Sequence, residues 1–111
     1  MKYSIPTYQQ LVSDHAIYPN KGSNVIYPAL GLAEEAGEVA GKIKKAQRDD
    51  NGVITEERKE AIKKELGDCM WYITAECNEL GILLDDVITE NVNKMFGRRE
   101  RGTLHGSGDD R

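Results

Sequence analysis

The placement of proline is the feature that most constrains how this chain can fold. Proline occurs only at positions 6, 19 and 28, so no residue after Pro28 is forced to break a helix. Beyond that point apolar residues recur at helical spacing, and no segment alternates between apolar and polar residues as a half-buried strand does. The sequence therefore predicts an all-α fold.

Four helical segments are predicted, at about residues 7–17, 28–47, 55–80 and 84–101. Thr7 and Thr55 are the expected N-caps of the first and third segments, because a threonine hydroxyl can accept a hydrogen bond from a free backbone N–H. Gly81 is expected to end the third helix. Four helices with short connections favour a four-helix bundle.

The three longer segments each carry one apolar stripe that we expect to pack inward. These stripes consist of Leu32, Ala36, Val39, Ala40 and Ile43 in the second segment, of Ile62, Leu66, Cys69, Met70, Ile73, Cys77 and Leu80 in the third, and of Val87, Ile88, Val92, Met95 and Phe96 in the fourth. Residues 102–111 are glycine-rich and polar, which predicts a non-helical tail. The length of 111 residues fits a single domain, residues 1–111, that ends in this tail.

Composition argues against several classes of protein. With 19 acidic and 15 basic residues the net charge is −4, which argues against binding to duplex nucleic acid. There is no apolar run near the ~20 residues of a membrane span, and the N-terminus does not resemble a secretory signal. Cys69 and Cys77 are too far apart on one helix to form a disulfide. We therefore expect a cytoplasmic protein with reduced thiols and no membrane partner.

Acidic residues three apart share one face of a helix, so a pair of them can reach one cation together. Four such pairs occur: Glu35/Glu38, Glu57/Glu60, Glu65/Asp68 and Glu76/Glu79. Because a chain with this many acids would contain about three such pairs by chance, spacing alone does not identify a site.

The surroundings of the pairs are more informative than their spacing. Glu57 and Glu60 lie among lysines and an arginine, which is typical of a solvated helix face, whereas Glu35 follows the uncharged stretch 28–33 and Asp68 precedes the uncharged stretch 69–75. Packing these two helices together could gather four carboxylates, and a hard divalent cation such as Mg²⁺ or Mn²⁺ would relieve their repulsion. Glu76 and Glu79 are as poorly compensated by basic neighbours as the two favoured pairs, so the sequence does not exclude them as a metal site.

The residues around the two favoured pairs resemble a known family. The segment EEAGE at 34–38, followed by ELGD at 65–68, looks like the EExxE…ExxD signature of the MazG-like nucleoside triphosphate pyrophosphohydrolases. These belong to an all-α superfamily that also includes dimeric dUTPases and phosphoribosyl-ATP pyrophosphohydrolase. The similarity extends to Trp71-Tyr72, to Asn91 and Lys94, and to the ending 101–111.

The resemblance implies a helical bundle that works as a homodimer or homotetramer. It implies hydrolysis of a (deoxy)nucleoside triphosphate to the monophosphate and pyrophosphate, as in the house-cleaning of nucleotide pools. The positions that match the Mg²⁺ ligands are Glu35, Glu38, Glu65 and Asp68, and Glu34 matches an additional acid of the first motif. Tyr72 matches a position that lines the nucleotide pocket. Glu38 and Glu35 are the candidates for accepting the proton of the attacking water, although the residues alone do not choose among the four ligands.

A basic run on the last helix is the candidate for phosphate binding. Lys94 leads because it matches the family, Arg98 lies one turn further on, and Asn91 lies one turn before Lys94. The alternative is that these cations only complement the helix dipole at its C-terminus. Two other functions stay open: a pyrophosphohydrolase for another substrate, such as phosphoribosyl-ATP, and a non-catalytic helical module for oligomerisation or regulation.

Overall fold

A computed structural model describes residues 2–109 and 111. It contains four helices, α1 (Ile5–His15), α2 (Ile26–Asp49), α3 (Glu56–Leu80) and α4 (Leu84–Arg101), and no strand occurs among the described residues. The predicted all-α fold of four helices is therefore confirmed. Within the described residues, no helix is long and apolar enough to cross a bilayer.

The helix ends follow the capping rules, with one correction. The Thr55 side chain accepts a hydrogen bond from the backbone N–H of Arg58, and Gly81 ends α3 in the left-handed conformation, both as predicted. The prediction that Thr7 caps α1 is wrong, because α1 begins at Ile5 and Ser4 accepts a hydrogen bond from the Thr7 backbone N–H at 3.2 Å. A proline in the first turn is compatible with this earlier start, since the N–H that it lacks has no partner within the helix.

The second helix also begins earlier than expected, at Ile26 rather than at Pro28. The side-chain oxygen of Asn24 accepts hydrogen bonds from the backbone N–H groups of Ile26 and Tyr27, at 3.2 and 3.1 Å. These contacts satisfy two of the donors that a helix start leaves free. The asparagine before the helix, rather than the proline inside it, therefore sets the boundary.

Helices α2 and α3 form a long antiparallel hairpin, which is the best-packed part of the chain. The connection between them is short, and Arg58 at the start of α3 pairs with Asp50 at the end of α2. Because the two helices are antiparallel, residues later in α2 contact residues earlier in α3. This register determines which acids of the two helices can meet.

Helix α1 packs against α3 and also contacts α4, and one side chain makes much of this junction. The Gln9 amide nitrogen donates to the Asn78 side chain at 3.0 Å and to the Ile82 carbonyl at 2.9 Å. The Gln9 oxygen accepts a hydrogen bond from the Leu84 backbone N–H at 2.8 Å. Gln9 therefore satisfies a free donor at the start of α4 and orients this helix relative to α1 and α3.

The chain is more expanded than a compact domain of its size. Its radius of gyration is 16.9 Å, against roughly 13 Å for a compact chain of about 100 residues. Several stripe residues that were predicted to face inward are exposed instead, with Leu66 at 54%, Met70 at 44% and Phe96 at 57%. The reason is that α4 packs on α1 rather than along the α2–α3 hairpin, so one chain does not cover these apolar faces.

Candidate active site

The close approach of α2 and α3 at Gly31 determines the register of the site. The ring of Tyr72 lies against Gly31 so tightly that a Cβ at that position would come within 2.3 Å of the Tyr72 ring carbon Cε1. One turn further along α2 is Glu35, and one turn back along α3 is Asp68. Because the helices are antiparallel, a contact between Gly31 and Tyr72 brings these two acids opposite each other.

Three carboxylates meet at this point of the hairpin: Glu35 from α2, and Glu65 and Asp68 from α3. One oxygen from each lies within 4.8 Å of the others, and we call this group the acid trio. Glu35 and Glu65 are half-buried, whereas Asp68 is exposed to solvent. The structure thus brings together three of the four residues that the sequence assigned to the metal site.

In the chain alone, it is unfavourable for all carboxyl groups of the acid trio to be ionised. A hydrogen bond with Glu65, followed by burial and by the charges of Asp68, Glu65 and Glu34, raises the pKa of Glu35 from 4.5 to about 7. Two carboxyl groups that share a proton behave in this way, because both cannot ionise freely at short range. The nearest compensating cation is Lys42, whose Nζ lies 3.5 Å from a Glu65 oxygen.

The other acids of the first motif lie beside the trio rather than in it. Glu38 is one turn after Glu35 on α2 and is exposed, and it does not belong to the group of converging carboxylates among the described residues. Glu34 is exposed as well, and its charge contributes to raising the pKa of both Glu35 and Tyr72. Glu38 therefore lies one turn from Glu35 and outside the trio, and Glu34 adds to the negative charge around Glu35.

In the pair that the sequence left open, Glu79 has a structural role. The Glu79 carboxylate accepts hydrogen bonds from the Tyr18 hydroxyl at 2.6 Å and from the backbone N–H groups of Gly22 and Asn24 at 2.8 and 3.4 Å. These donors lower the pKa of Glu79, the hydrogen bond from Tyr18 contributing most. Glu79 thus anchors the loop between α1 and α2, and its negative charge is already satisfied by protein donors. Burial raises the pKa of its neighbour Glu76.

The remaining pair lies on a solvated face, as predicted. Glu57 and Glu60 are both exposed, and Glu60 is 4.0 Å from the Lys63 Nζ on the next turn. Neither belongs to a converging group of acids among the residues that the structure describes.

Aromatic side chains extend from the acid trio toward the loop between α1 and α2. Tyr72, one turn after Asp68, lies 6.5 Å from Tyr27 between ring centroids, and Tyr27 stacks on Tyr18 at 5.0 Å with an interplanar angle of 9°. Trp71 meets Tyr72 edge to face at 5.2 Å. The hydrogen bond from Tyr18 to Glu79 holds the far end of this row in place. The trio is therefore bordered by a fixed aromatic surface.

The predicted phosphate-binding residues lie on α4, apart from the acid trio. Asn91 and Lys94 line a groove on α4, and Lys94 and Arg98 form ion pairs with Asp109 of the tail at 3.2 and 3.5 Å. Among the described residues, no hydrogen bond or ion pair joins Asn91, Lys94 or Arg98 to the trio. The cations of α4 are thus paired with the tail and not with the trio.

Two neighbours of the trio were missed by sequence reasoning. Lys42 stands seven residues after Glu35 and therefore on the same face of α2, so helical spacing could have found it. Tyr8 lies on α1, and burial followed by the charge of Asp68 raises the pKa of its hydroxyl. Its place near Asp68 depends on how α1 packs against α3, and no local pattern in the sequence contains that information.

Comparison with known proteins gives two matches. A family model described as the MazG nucleotide pyrophosphohydrolase domain matches residues 28–103, a range that contains the acid trio, Tyr72 and the three predicted phosphate-binding residues on α4. The chain is also 44% identical over 112 residues to the "Gene 37 protein" of Mycobacterium phage L5, which covers 96% of this chain and 98% of the phage protein. No solved structure matches the chain.

Proposed function

This chain belongs to the MazG nucleotide pyrophosphohydrolase domain family, and from that premise we propose that it hydrolyses (deoxy)nucleoside triphosphates to the monophosphate and pyrophosphate with Mg²⁺. Mn²⁺ is the expected substitute, since it accepts the same oxygen ligands. The physiological role that fits this reaction is the removal of surplus or non-standard nucleotides.

The observation that carries this proposal is the convergence of Glu35, Glu65 and Asp68 from two helices. The donor set fits a hard divalent cation, because all three ligand atoms are carboxylate oxygens. The raised pKa of Glu35 also fits a cation site, because it indicates that neighbouring cations do not balance the negative charge of the trio. When bound, Mg²⁺ would neutralise phosphate charge and lower the pKa of a coordinated water.

The chain's own residues then have distinct tasks. Glu35, Glu65 and Asp68 would hold the cation, and Glu38, one turn after Glu35 on α2, would join them. Of these four, Glu38 is the exposed carboxylate of α2 outside the trio, so we assign it, together with Glu35, the acceptance of the proton from the attacking water. Glu34 adds negative charge beside them and keeps the site attractive to cations.

Substrate contacts are assigned to two surfaces: the aromatic row beside the acid trio and the basic residues of α4. Tyr72 offers a ring for stacking against the nucleobase, and Tyr27 and Tyr18 continue the aromatic row beside it. Phosphate oxygens are assigned to Lys94 and Arg98, with Asn91 as a further polar contact. Phosphoanhydride hydrolysis depends mostly on such positioning and charge neutralisation.

A second copy of the chain would bring these two surfaces together. The exposed apolar residues Ile26 at 66% and Leu30 at 65% lie on α2, and Phe96 at 57% lies on α4 among the basic residues. Apolar exposure on this scale is typical of interfaces between subunits. We therefore assign a homodimer or homotetramer in which α4 of one subunit approaches the acid trio of another.

The reaction is tested by measuring pyrophosphate release across a panel of nucleoside triphosphates, with and without Mg²⁺. Glu35→Gln and Asp68→Asn should abolish Mg²⁺-dependent turnover, because each removes a charged ligand. Glu57→Gln and Glu60→Gln are the matched controls, since they make the same changes on the solvated face of α3 and should keep wild-type rates. Wild-type turnover in both trio variants would refute the site assignment.

Assembly is tested separately by sedimentation at micromolar concentration. The expected result is a dimer or tetramer, because the apolar faces of α2 and α4 are uncovered in one chain. A monomer that turns over nucleotide at the full rate would contradict a site shared between subunits. It would leave the assignment of the acid trio as the metal site unaffected.

A further inference from the structure

The described residues of the C-terminal tail are held together by Arg111. The Arg111 guanidinium donates to the carbonyl oxygens of Thr103 at 3.0 Å, Leu104 at 3.0 Å and Gly108 at 2.6 Å. Arg101 of α4 in turn donates to the Arg111 carbonyl at 2.5 and 3.2 Å. Backbone oxygens thus tie the loop together and to α4.

This loop presents one carboxylate to the two cations that the proposed function assigns to phosphate. The Asp109 oxygen Oδ1 lies 3.2 Å from the Lys94 Nζ and 3.5 Å from the Arg98 Nη2. The Arg98 Nη2 also donates to the Asp109 carbonyl at 2.6 Å. Both cations are therefore engaged by a single residue of the same chain.

A carboxylate oxygen and a phosphate oxygen make the same kind of charge-assisted hydrogen bond to lysine and arginine. We propose that the Asp109 carboxylate is an internal competitor for the phosphate site: it occupies Lys94 and Arg98 in the substrate-free chain, and a triphosphate must displace it to bind there. This inference rests on the proposed function, because it takes these cations as the phosphate contacts.

Burial and charge at the three residues support displacement rather than a permanent link. The Asp109 side chain is 83% exposed, so water can solvate it after it leaves, whereas the Arg98 side chain is only 11% exposed and stays in place. The Nε of Arg98 is buried without a hydrogen-bond partner among the described residues, so the chain alone does not satisfy all donors of this guanidinium. Lys94 and Arg98 lower the pKa of Asp109, the hydrogen bond from Lys94 contributing most, so the competitor is charged at neutral pH.

The loop does not depend on this ion pair for its shape. Arg111 holds the backbone through three carbonyl groups, none of which belongs to Asp109. Neutralising Asp109 should therefore release Lys94 and Arg98 from the ion pairs with its carboxylate, while the backbone contacts, including that of Arg98 with the Asp109 carbonyl, keep the loop in position. A neutral side chain at position 109 therefore removes the competing carboxylate without removing the tail.

The test uses inorganic tripolyphosphate as the probe and calorimetric binding to the full chain without Mg²⁺. Asp109→Asn should bind tripolyphosphate about two- to fivefold more tightly than wild type, the range expected when an exposed ion pair no longer has to be broken. Asp109→Glu keeps the charge and should bind as wild type does. Glu100→Gln is the matched control: it removes one negative charge from an exposed residue of α4 and should leave affinity unchanged.

A second readout follows the competitor itself. The pKa of Asp109, measured by carboxyl-carbon NMR, should rise toward its ordinary value when tripolyphosphate saturates wild type, because the cations then face the ligand. Weaker binding by Asp109→Asn would overturn the proposal, since Asp109 would then be positioning the cations for phosphate. Equal tightening in Glu100→Gln would also overturn it, because only net charge would matter.

Failure of the proposed function has a different signature. If no nucleoside triphosphate is hydrolysed but Asp109→Asn still binds tripolyphosphate more tightly, the competition stands and the reaction assignment falls. If hydrolysis occurs and tripolyphosphate affinity does not respond to Asp109→Asn, the competition falls and the reaction stands.

Discussion

Binding of Mg²⁺ to the acid trio should release a proton below about pH 7 and none well above it. The reason is the Glu35 carboxyl, whose pKa rises from 4.5 to about 7, mainly through its hydrogen bond with Glu65. A cation that binds carboxylates must displace that proton when it is present. The apparent affinity should therefore fall roughly tenfold for each pH unit below about 7 and level off above it.

The same shift predicts how stability depends on pH in the absence of metal. The folded chain holds the Glu35 proton to a higher pH than the unfolded chain does, so the contribution to stability is complete below about pH 4.5 and is lost as pH rises through about 7. Saturating Mg²⁺ should restore stability at high pH, because it binds the folded state. At a concentration 100 times its Kd, this linkage adds about 2.7 kcal/mol to the unfolding free energy.

Calorimetric titration with Mg²⁺ in two buffers of different ionisation enthalpy counts the protons released. About one proton is expected near pH 6 and about none near pH 8. In Glu35→Gln the affinity should be lower and should no longer vary over this range, whereas the control Glu60→Gln should keep the wild-type profile. Equal affinity at both pH values in wild type, or a pH dependence that survives in Glu35→Gln, would refute this reasoning.

Two further predictions concern the packing around the site and are measured by urea unfolding. Gly31→Ala should lower the unfolding free energy by about 1–3 kcal/mol, because its Cβ would overlap the Tyr72 ring. In Gly37→Ala the new Cβ meets no atom within 4 Å, so the unfolding free energy should rise by about 0.5–1 kcal/mol. Similar effects of the two substitutions would refute the close contact at Gly31. Tyr18→Phe should cost roughly 1.5–3 kcal/mol, since it removes a hydrogen bond to the charged Glu79, and an unchanged unfolding free energy would contradict the anchoring role.

The elements that the sequence predicted well are those determined by local patterns. Helical spacing and the absence of proline after Pro28 predicted the long helices, and the signals at Thr55 and Gly81 gave the bounds of α3. The short connection also made the helices of Glu35 and Asp68 expected neighbours, but the choice of these acids over the pair at 76 and 79 came from the family resemblance.

The parts that could not be predicted depend on contacts between residues distant in the chain. The direction of α4 is set by Gln9, which bonds to the turn after α3 across more than 70 positions. The stripe on α4 was expected to face a core, but its Phe96 is exposed because α4 leaves the hairpin. The loop formed by Arg111 with backbone carbonyls also has no signature in side-chain pattern, since carbonyl acceptors are present at every residue.

The contrast between Glu35 and Glu79 shows why composition could not separate a site from a structural acid. Both belong to pairs three residues apart on long helices, and both adjoin apolar stretches. In the fold, however, Glu79 receives three protein donors that lower its pKa, whereas Glu35 faces other acids that raise its pKa to about 7. An acid that is already satisfied stabilises the chain, while an acid held among like charges leaves a local excess of negative charge that a cation can relieve. The convergence of carboxylates from two helices, rather than the spacing of acids along one helix, therefore distinguishes the candidate metal site from its look-alike.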